Sequence, residues 1–318
     1  MSSAEAGVKG RAALVVYVKL TACMALWGAT WVSGRYVAQG MGPFPAAFLR
    51  FFSASIFLYL LSCRAGHGWP KPPHGAWGGV VFLGLTGVFL YNAMFFSGLA
   101  LIPAARAAMI VACVPSAVAL YSALVLRAPT TALKALGIAL SLFGVAVILS
   151  GGDPRTLFTH GPSTGDLYIL GCVVAWAAYS IGGGRVVQKM PPLSAVMWSC
   201  VVGNAMLLPP ALLTGLVPQA LAASATVWAN LLFLGVGATG LAFLWYHDGI
   251  RALGAPRASI FINLVPVFAT LLSTALLGES VGLPLVAGGA MVLAGVVLAN
   301  RPVQRQGGPA VDANASRT

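Results

Sequence analysis

The sequence predicts an all-α membrane protein whose ten transmembrane helices form two inverted five-helix repeats, and three observations lead there. The 318-residue chain is 59% hydrophobic and 8% charged, with a mean hydropathy of +0.90, so it lacks the charged side chains that clothe a soluble surface. It offers ten apolar segments, each close to the about 20 residues that a helix rising about 1.5 Å per residue needs to cross roughly 30 Å of hydrocarbon. The third observation is a duplication, in which residues 83 to 126 return 151 positions later as 234 to 277. Phe82-Leu83-Gly84 reappears as Phe233-Leu234-Gly235, Arg106-Ala107 as Arg257-Ala258, and Val114-Pro115 as Val265-Pro266. Gly137 and Gly144 return as Gly288 and Gly295. An internal repeat in a hydrophobic chain marks transporters built from related halves.

The spans are expected near 13 to 36, 44 to 63, 77 to 99, 104 to 126 and 131 to 150 in the first half, and near 165 to 187, 194 to 214, 227 to 249, 255 to 277 and 282 to 300 in the second. Short connections rich in turn formers separate them, such as Gly40-Met41-Gly42-Pro43 and Pro191-Pro192. The resulting divisions are a disordered cytoplasmic N-terminus at 1–12, a first repeat at 13–150, an external connecting loop at 151–164, a second repeat at 165–300 and a disordered cytoplasmic tail at 301–318. Lys9 and Arg11 precede the first span, but its length, its tryptophans and the spans that follow make it an uncleaved helix and not a secretory signal.

Orientation comes from the basic residues. With the N-terminus in the cytoplasm, the inner side collects Lys9, Arg11, Arg64, Lys71, Arg127, Lys134, Arg185, Lys189, Arg251, Arg257, Arg301, Arg305 and Arg317, and the outer side only Arg35, Arg106 and Arg155. Thirteen against three satisfies the positive-inside rule and puts both termini in the cytoplasm. Five spans per half is an odd number, so the second half must lie upside down relative to the first. The net charge of +12 does not point to nucleic acid, because the basic residues fall between apolar spans instead of forming one patch.

Several residues resemble a known family. Trp27-Gly28, Leu49-Arg50-Phe51, the Ala-rich run reaching Val114-Pro115, and Val265-Pro266 through Leu277-Gly278-Glu279 look like the ten-helix bacterial branch of the drug/metabolite transporter superfamily. Within it the chain is most similar to amino-acid and metabolite exporters, including those for aromatic amino acids. The resemblance implies alternating access in a bacterial inner membrane, with net export and a monomer as the working unit. One departure is visible: Glu279, which closes the ninth span, has no counterpart after the fourth, where Arg127-Ala128-Pro129 stands.

For a binding site the sequence offers polar and aromatic groups at helical spacing in corresponding places of the two halves. Asn92, Phe95 and Phe96 share a face of the third span, and Phe243, Tyr246 and His247 repeat that spacing in the eighth. Trp27 and Trp31 in the first span, Trp176 and Tyr179 in the sixth, and Asn263 just before Pro266 complete a candidate cavity lining for an aromatic or apolar solute. Plain core packing weighs equally for these aromatics, and interfacial anchoring explains Trp69, Trp77, Trp198 and Trp228. Arg50 is expected to snorkel to the outer interface, with contact to a substrate carboxylate as its functional alternative. Pro115 and Pro266 are read as paired kinks, and Gly182-Gly183-Gly184 as a hinge or a packing notch.

Other chemistries find no support. The five cysteines lie in apolar spans without paired spacing, the four histidines are scattered, and no phosphate-cradling loop is present, so neither metal, cofactor nor ATP is expected. An intramembrane enzyme would need a buried nucleophile with an acid or base partner, and only His247-Asp248 invites the question. The remaining alternative is efflux of aromatic drugs or cations, disfavoured because no carboxylate lies in mid-membrane. That same absence predicts transport without an obligatory ion gradient.

Overall fold

Helices account for all the regular structure among the described residues, and their breaks fall at matching places in the two halves. The computed structural model describes the backbone of residues 3–64, 71–253, 258 and 260–300, and the side chains of these except 3–13, 157, 158, 192, 243, 244, 247, 250 and 251. The tail at 301–318, Trp69 and Arg257 lie outside the described residues.

In the first half, α1 (Ser3–Gly40), α2 (Pro43–Arg64), α3 (His74–Leu101), α4 (Ala104–Leu124) and α5 (Ala132–Ser150) follow one another with short connections. After a short helix at Arg155–Thr159 come α6 (Thr164–Val186) and α7 (Pro192–Leu213). A further short helix, Leu216–Ala222, turns by 112° into α8, which runs as Ala225–Leu241 and continues as Ala242–Leu253. The last two are α9 (Phe261–Leu277) and α10 (Leu283–Ala299). Seven of these helices are long and apolar enough to cross a membrane by themselves, or eight with the bent pair, while α9 and α10 are shorter apolar helices.

The packing pattern follows the repeat. Helix α1 lies along α9 and α8, and its counterpart α6 lies along α4 and α3. Likewise α7 packs on α3 as α2 packs on α8, and the pairs α2 with α7 and α5 with α10 each join the two halves. Glycine makes the tightest of these contacts possible. A side chain at Gly144 would strike the Gly288 carbonyl at 2.6 Å, and one at Gly288 would strike the Gly144 carbonyl at 2.7 Å, so α5 and α10 touch backbone to backbone.

Two kinds of irregularity position the site. Helices α3 and α8 widen into π-type turns at Gly84–Leu90 and Phe233–Leu241, the same place in each repeat. Such turns leave carbonyls unpaired, which apolar surroundings tolerate only when side chains take them up. In α4 the helix breaks at Ala112 and Cys113 and restarts at Val114, and in α9 a 3₁₀ turn at Phe261–Leu264 leads into a restart at Val265. Pro115 and Pro266 therefore sit in the first turn of a new helical segment, where the missing N–H has no helical partner to lose.

Expected and observed elements differ in a few places. Helix α1 starts at Ser3, ahead of the span start expected at 13. Gly182, Gly183 and Gly184 lie within the uninterrupted helix α6 and break nothing. Only Gly182 is crowded, since a Cβ added there would lie 2.6 Å from the Phe82 ring, which is the packing-notch reading.

Candidate functional site

The irregular segments converge on a cavity of about 430 Å³ at the middle of the bundle. Its described walls come from α1 (Trp27, Thr30, Trp31), α2 (Arg50, Phe51), α3 (Gly87, Val88, Tyr91, Asn92) and α4 (Val111), and from α6 (Trp176, Tyr179), α7 (Val196, Ser199, Cys200), α8 (Ala238, Thr239, Tyr246) and α9 (Ile262, Val265). Both π-type turns and the restarts of α4 and α9 border it.

The polar groups are tied to those turns. Asn92 donates through Nδ2 to the carbonyls of Val88 at 2.9 Å and Gly87 at 3.3 Å, both inside the widened turn. On the α8 side, the Trp27 indole donates to the Ala238 carbonyl at 3.0 Å, and Thr239 Oγ1 donates to the Leu234 carbonyl at 3.0 Å. These bonds hold Asn92 and Trp27 against the cavity wall, because rotating either would give up a buried hydrogen bond.

Arg50 holds the only charge among the described lining residues. Its Nη1 donates to Asn92 Oδ1 at 3.0 Å, and its guanidinium carbon lies 5.3 Å from the Phe51 ring centre and 5.6 Å from that of Phe95. Its Nε is buried without a hydrogen-bond partner, and the described salt bridges, Lys19 with Asp248 and Arg106 with Asp166, do not involve it. The snorkelling expectation is thus corrected. Asn92 and two aromatic faces draw the guanidinium inward, and the face of α2 that carries Arg50, Phe51 and Ala54 points at the bundle, while Phe52, Ile56 and Tyr59 point out.

The aromatic wall is continuous. Tyr91 and Trp176 have ring centres 5.1 Å apart, Trp176 stacks on Tyr179 at 4.9 Å, and Trp27 meets Tyr246 at 5.2 Å on the opposite side. Gly87 makes room for Tyr179, whose ring occupies the space a Cβ at Gly87 would take.

Of the residues chosen from sequence, Trp27, Trp31, Arg50, Asn92, Trp176, Tyr179 and Tyr246 line the cavity. Phe95 and Phe96 do not; both are fully buried one turn further along the α3 face, where Phe95 caps the cavity by packing on Trp31 at 5.2 Å and Tyr91 at 6.0 Å. Asn263 does not either, since its Nδ2 turns back to the Ile260 carbonyl at 3.2 Å. The side chains of Phe243 and His247 lie outside the described residues. Asp248, the other half of the His247-Asp248 pair, binds Lys19 at 3.0 Å. Tyr91, Thr30, Ser199 and Thr239 were missed. Tyr91 opens the regular helical segment that follows the π-type turn, and no repeated pattern in the sequence marks it.

Beyond Phe95 the bundle is solid to the end that carries Ile102 and Glu279. Leu99, Ala104, Ala105, Ala107 and Ile110 are all buried there. Glu279 accepts from the backbone N–H of Ala104 at 2.8 Å and of Ala105 at 3.0 Å, capping α4. Arg35 donates through Nη1 to the carbonyls of Leu99 and Ile102 at the end of α3, and Arg106 binds Asp166 on α6 at 2.7 Å. Glu279 thus joins the end of α9 to the start of α4, and Arg127-Ala128-Pro129 offers no acid for the matching contact after α4.

The comparisons with known proteins agree with this architecture. The profile of the EamA-like transporter family matches residues 15–150 and again residues 163–301, once for each half. The chain is 30% identical over 288 residues to YyaM, an uncharacterized transporter of Bacillus subtilis, covering 90% of this chain and 94% of that one. It is 27% identical to an uncharacterized transporter of Archaeoglobus fulgidus, over 90% of this chain and 98% of the relative. It is 24% identical to a probable terminal-alkyne amino-acid exporter of Streptantibioticus cattleyicolor, over 86% and 90%. A crystal structure at 21% identity shares the fold, with a TM-score of 0.61 over 90% of this chain and 98% of the other. The protein belongs to the EamA-like transporter family, within the drug/metabolite transporter superfamily.

Proposed function

We propose that this protein exports amino acids, aromatic and hydrophobic ones favoured, or related small metabolites across a bacterial inner membrane by alternating access. The observation that carries this reading is Arg50, a guanidinium with a free Nε on the wall of a central cavity whose other described lining residues are uncharged and mostly aromatic or apolar. A carboxylate satisfies the arginine through charge-assisted hydrogen bonds while the aromatic walls take the apolar body. A cationic drug would meet Arg50 with no acid among the described lining residues, which disfavours the efflux alternative.

The same reading makes α9 and α10 the last of ten spans, with the second five inverted relative to the first and both termini cytoplasmic. The matched kinks, the exchange of packing partners between halves and the distribution of arginine and lysine support it. In this arrangement the sealed end with Glu279 faces outward, so the structure is the state closed to the outside. Its opening requires the Glu279, Arg35 and Arg106 contacts to part, and the inverted partner state closes the cytoplasmic end through other contacts, since no acid follows α4 as Glu279 follows α9. The working unit is the monomer, since one chain encloses the whole cavity.

Energy coupling follows from the acids. No aspartate or glutamate lines the cavity among the described residues, so cargo binding has no carboxylate proton to exchange. In liposomes holding the purified protein, labelled phenylalanine or a related carboxylate should enter down its gradient and stop at equal concentrations. Absence of uptake above that of empty liposomes overturns the reading. Accumulation driven by a pH gradient and abolished by a protonophore overturns ion independence and points to His247 or Asp248.

A further inference from the structure

The cavity holds a cation and, among the described residues, nothing to neutralise a second one, and we infer that its preferred cargo is a monoanion: a carboxylate on an aromatic or apolar body whose amino group is absent or acylated. The inference rests on reading the cavity as the cargo site. It turns on where the acids of this chain are. There are six, Glu5, Asp153, Asp166, Asp248, Glu279 and Asp312, and every described acidic side chain is engaged away from the cavity. Asp166 binds Arg106 and Ser163, Asp248 binds Lys19, Glu279 caps α4, and Asp153 accepts from the Arg155 backbone N–H. Glu5 precedes Trp27 on the same helix by 22 residues, about 33 Å at about 1.5 Å per residue. Asp312 lies outside the described residues.

The hydroxyls in the wall offer an ammonium neutral lone pairs but no charge to balance it. Thr30, Ser199 and Thr239 each donate to a backbone carbonyl on their own helix, and Asn92 Oδ1 receives Arg50. An α-ammonium is attached one carbon from its carboxylate. If the carboxylate sits on Arg50, the ammonium is held close to the guanidinium in a mostly apolar cavity, where one carboxylate must serve two cations and no second anion among the described lining residues balances them. A zwitterion therefore enters with an uncompensated cation, whereas a monoanion leaves the site neutral. Removing or acylating the amino group removes that penalty and keeps the contact with Arg50.

The test uses the purified full-length protein in lipid nanodiscs and four ligands that share a phenyl ring: 3-phenylpropionate, N-acetylphenylalanine, phenylalanine and phenethylamine. Dissociation constants are measured by calorimetry. Expected are at least tenfold tighter binding of the two monoanions than of phenylalanine, and weaker binding still of phenethylamine. Arg50→Gln should remove the advantage of 3-phenylpropionate over phenethylamine, and Arg50→Lys, which keeps the charge, should retain part of it. The series on the unaltered protein decides the matter even if a variant does not fold. Phenylalanine binding as tightly as 3-phenylpropionate, with both lost in Arg50→Gln, overturns the monoanion preference and leaves the cavity as the carboxylate site. If none of the four binds, or if Arg50→Gln changes nothing, the cavity is not the cargo site and the inference falls with it.

Discussion

Arg127 and Gly278 stand at the same point of the two repeats, and both adopt a left-handed backbone, with φ of 50° and 65°. Glycine adopts it freely, whereas a side chain costs roughly 1 to 2 kcal/mol there. Arg127→Gly should therefore stabilise the protein by about 1 kcal/mol, seen as a rise of a few degrees in the melting temperature in detergent; an unchanged or lower temperature contradicts the assignment. Asp166→Ala works in the opposite direction. Asp166 is almost fully buried, binds Arg106 and completes a capping box with Ser163. Its removal leaves Arg106 unpaired and should lower stability by about 3 kcal/mol in the same measurement. At this scale the sequence was only partly legible. Trp27, Trp176, Tyr179, Asn92 and Tyr246 announce themselves as polar or aromatic groups repeated at helical spacing. The direction of Arg50 does not, because α2 is apolar on the lipid side and on the bundle side alike, so no amphipathic pattern says which way its arginine turns.

Between elements, the decisive contacts are helix ends bonded across the repeat. Glu279 joins the end of α9 to the N-terminus of α4, where its negative charge also meets the positive end of that helix. In the proposed cycle this contact breaks when the outer end opens. Replacing Glu279 by Gln keeps the shape but removes the charge, weakening the cap by about 1 kcal/mol or more, which shifts the balance between states by about fivefold or more. On a cysteine-free background, Leu99→Cys provides the reporter, since Leu99 is fully buried in the sealed end. Its labelling by an impermeant thiol reagent should speed up severalfold with Glu279→Gln; an unchanged rate means that Glu279 only caps a helix. Duplicated Val114-Pro115 and Val265-Pro266 made the helix breaks readable in advance. The π-type turns were not, because the glycines, threonines and apolar residues of Gly84–Leu90 and Phe233–Leu241 fit a regular helix equally well, and the bonds that Asn92, Trp27 and Thr239 make to carbonyls of these segments appear only in the folded structure.

Across the whole molecule, the duplication and the hydropathy were enough to anticipate the helices, since burying backbone in lipid leaves few other solutions, while the family was legible only through the resemblance carried by Trp27-Gly28, Leu49-Arg50-Phe51, Val114-Pro115 and Leu277-Gly278-Glu279. Which stretch of each shared face is open was not, because Asn92 and Phe95 lie on the same face and only the packing of Trp31 and Tyr91 on Phe95 separates wall from seal. The proposed topology is checked by single cysteines at Thr159 and Ser316 on a cysteine-free background. In intact cells an impermeant thiol reagent should label Thr159→Cys and spare Ser316→Cys, and labelling of both, or of Ser316→Cys alone, refutes the inverted arrangement. The central claim is that cargo passes through the cavity at Arg50 and Asn92. Its most direct measurement is uptake of a labelled aromatic carboxylate into liposomes containing the unaltered protein, Arg50→Gln or Asn92→Leu, each shown to be monodisperse before reconstitution. Losing a buried charge-assisted contact predicts at least a tenfold fall in kcat/KM for both variants. Uptake by both variants within twofold of the unaltered protein would contradict the account and return Arg50 and Asn92 to a purely structural role.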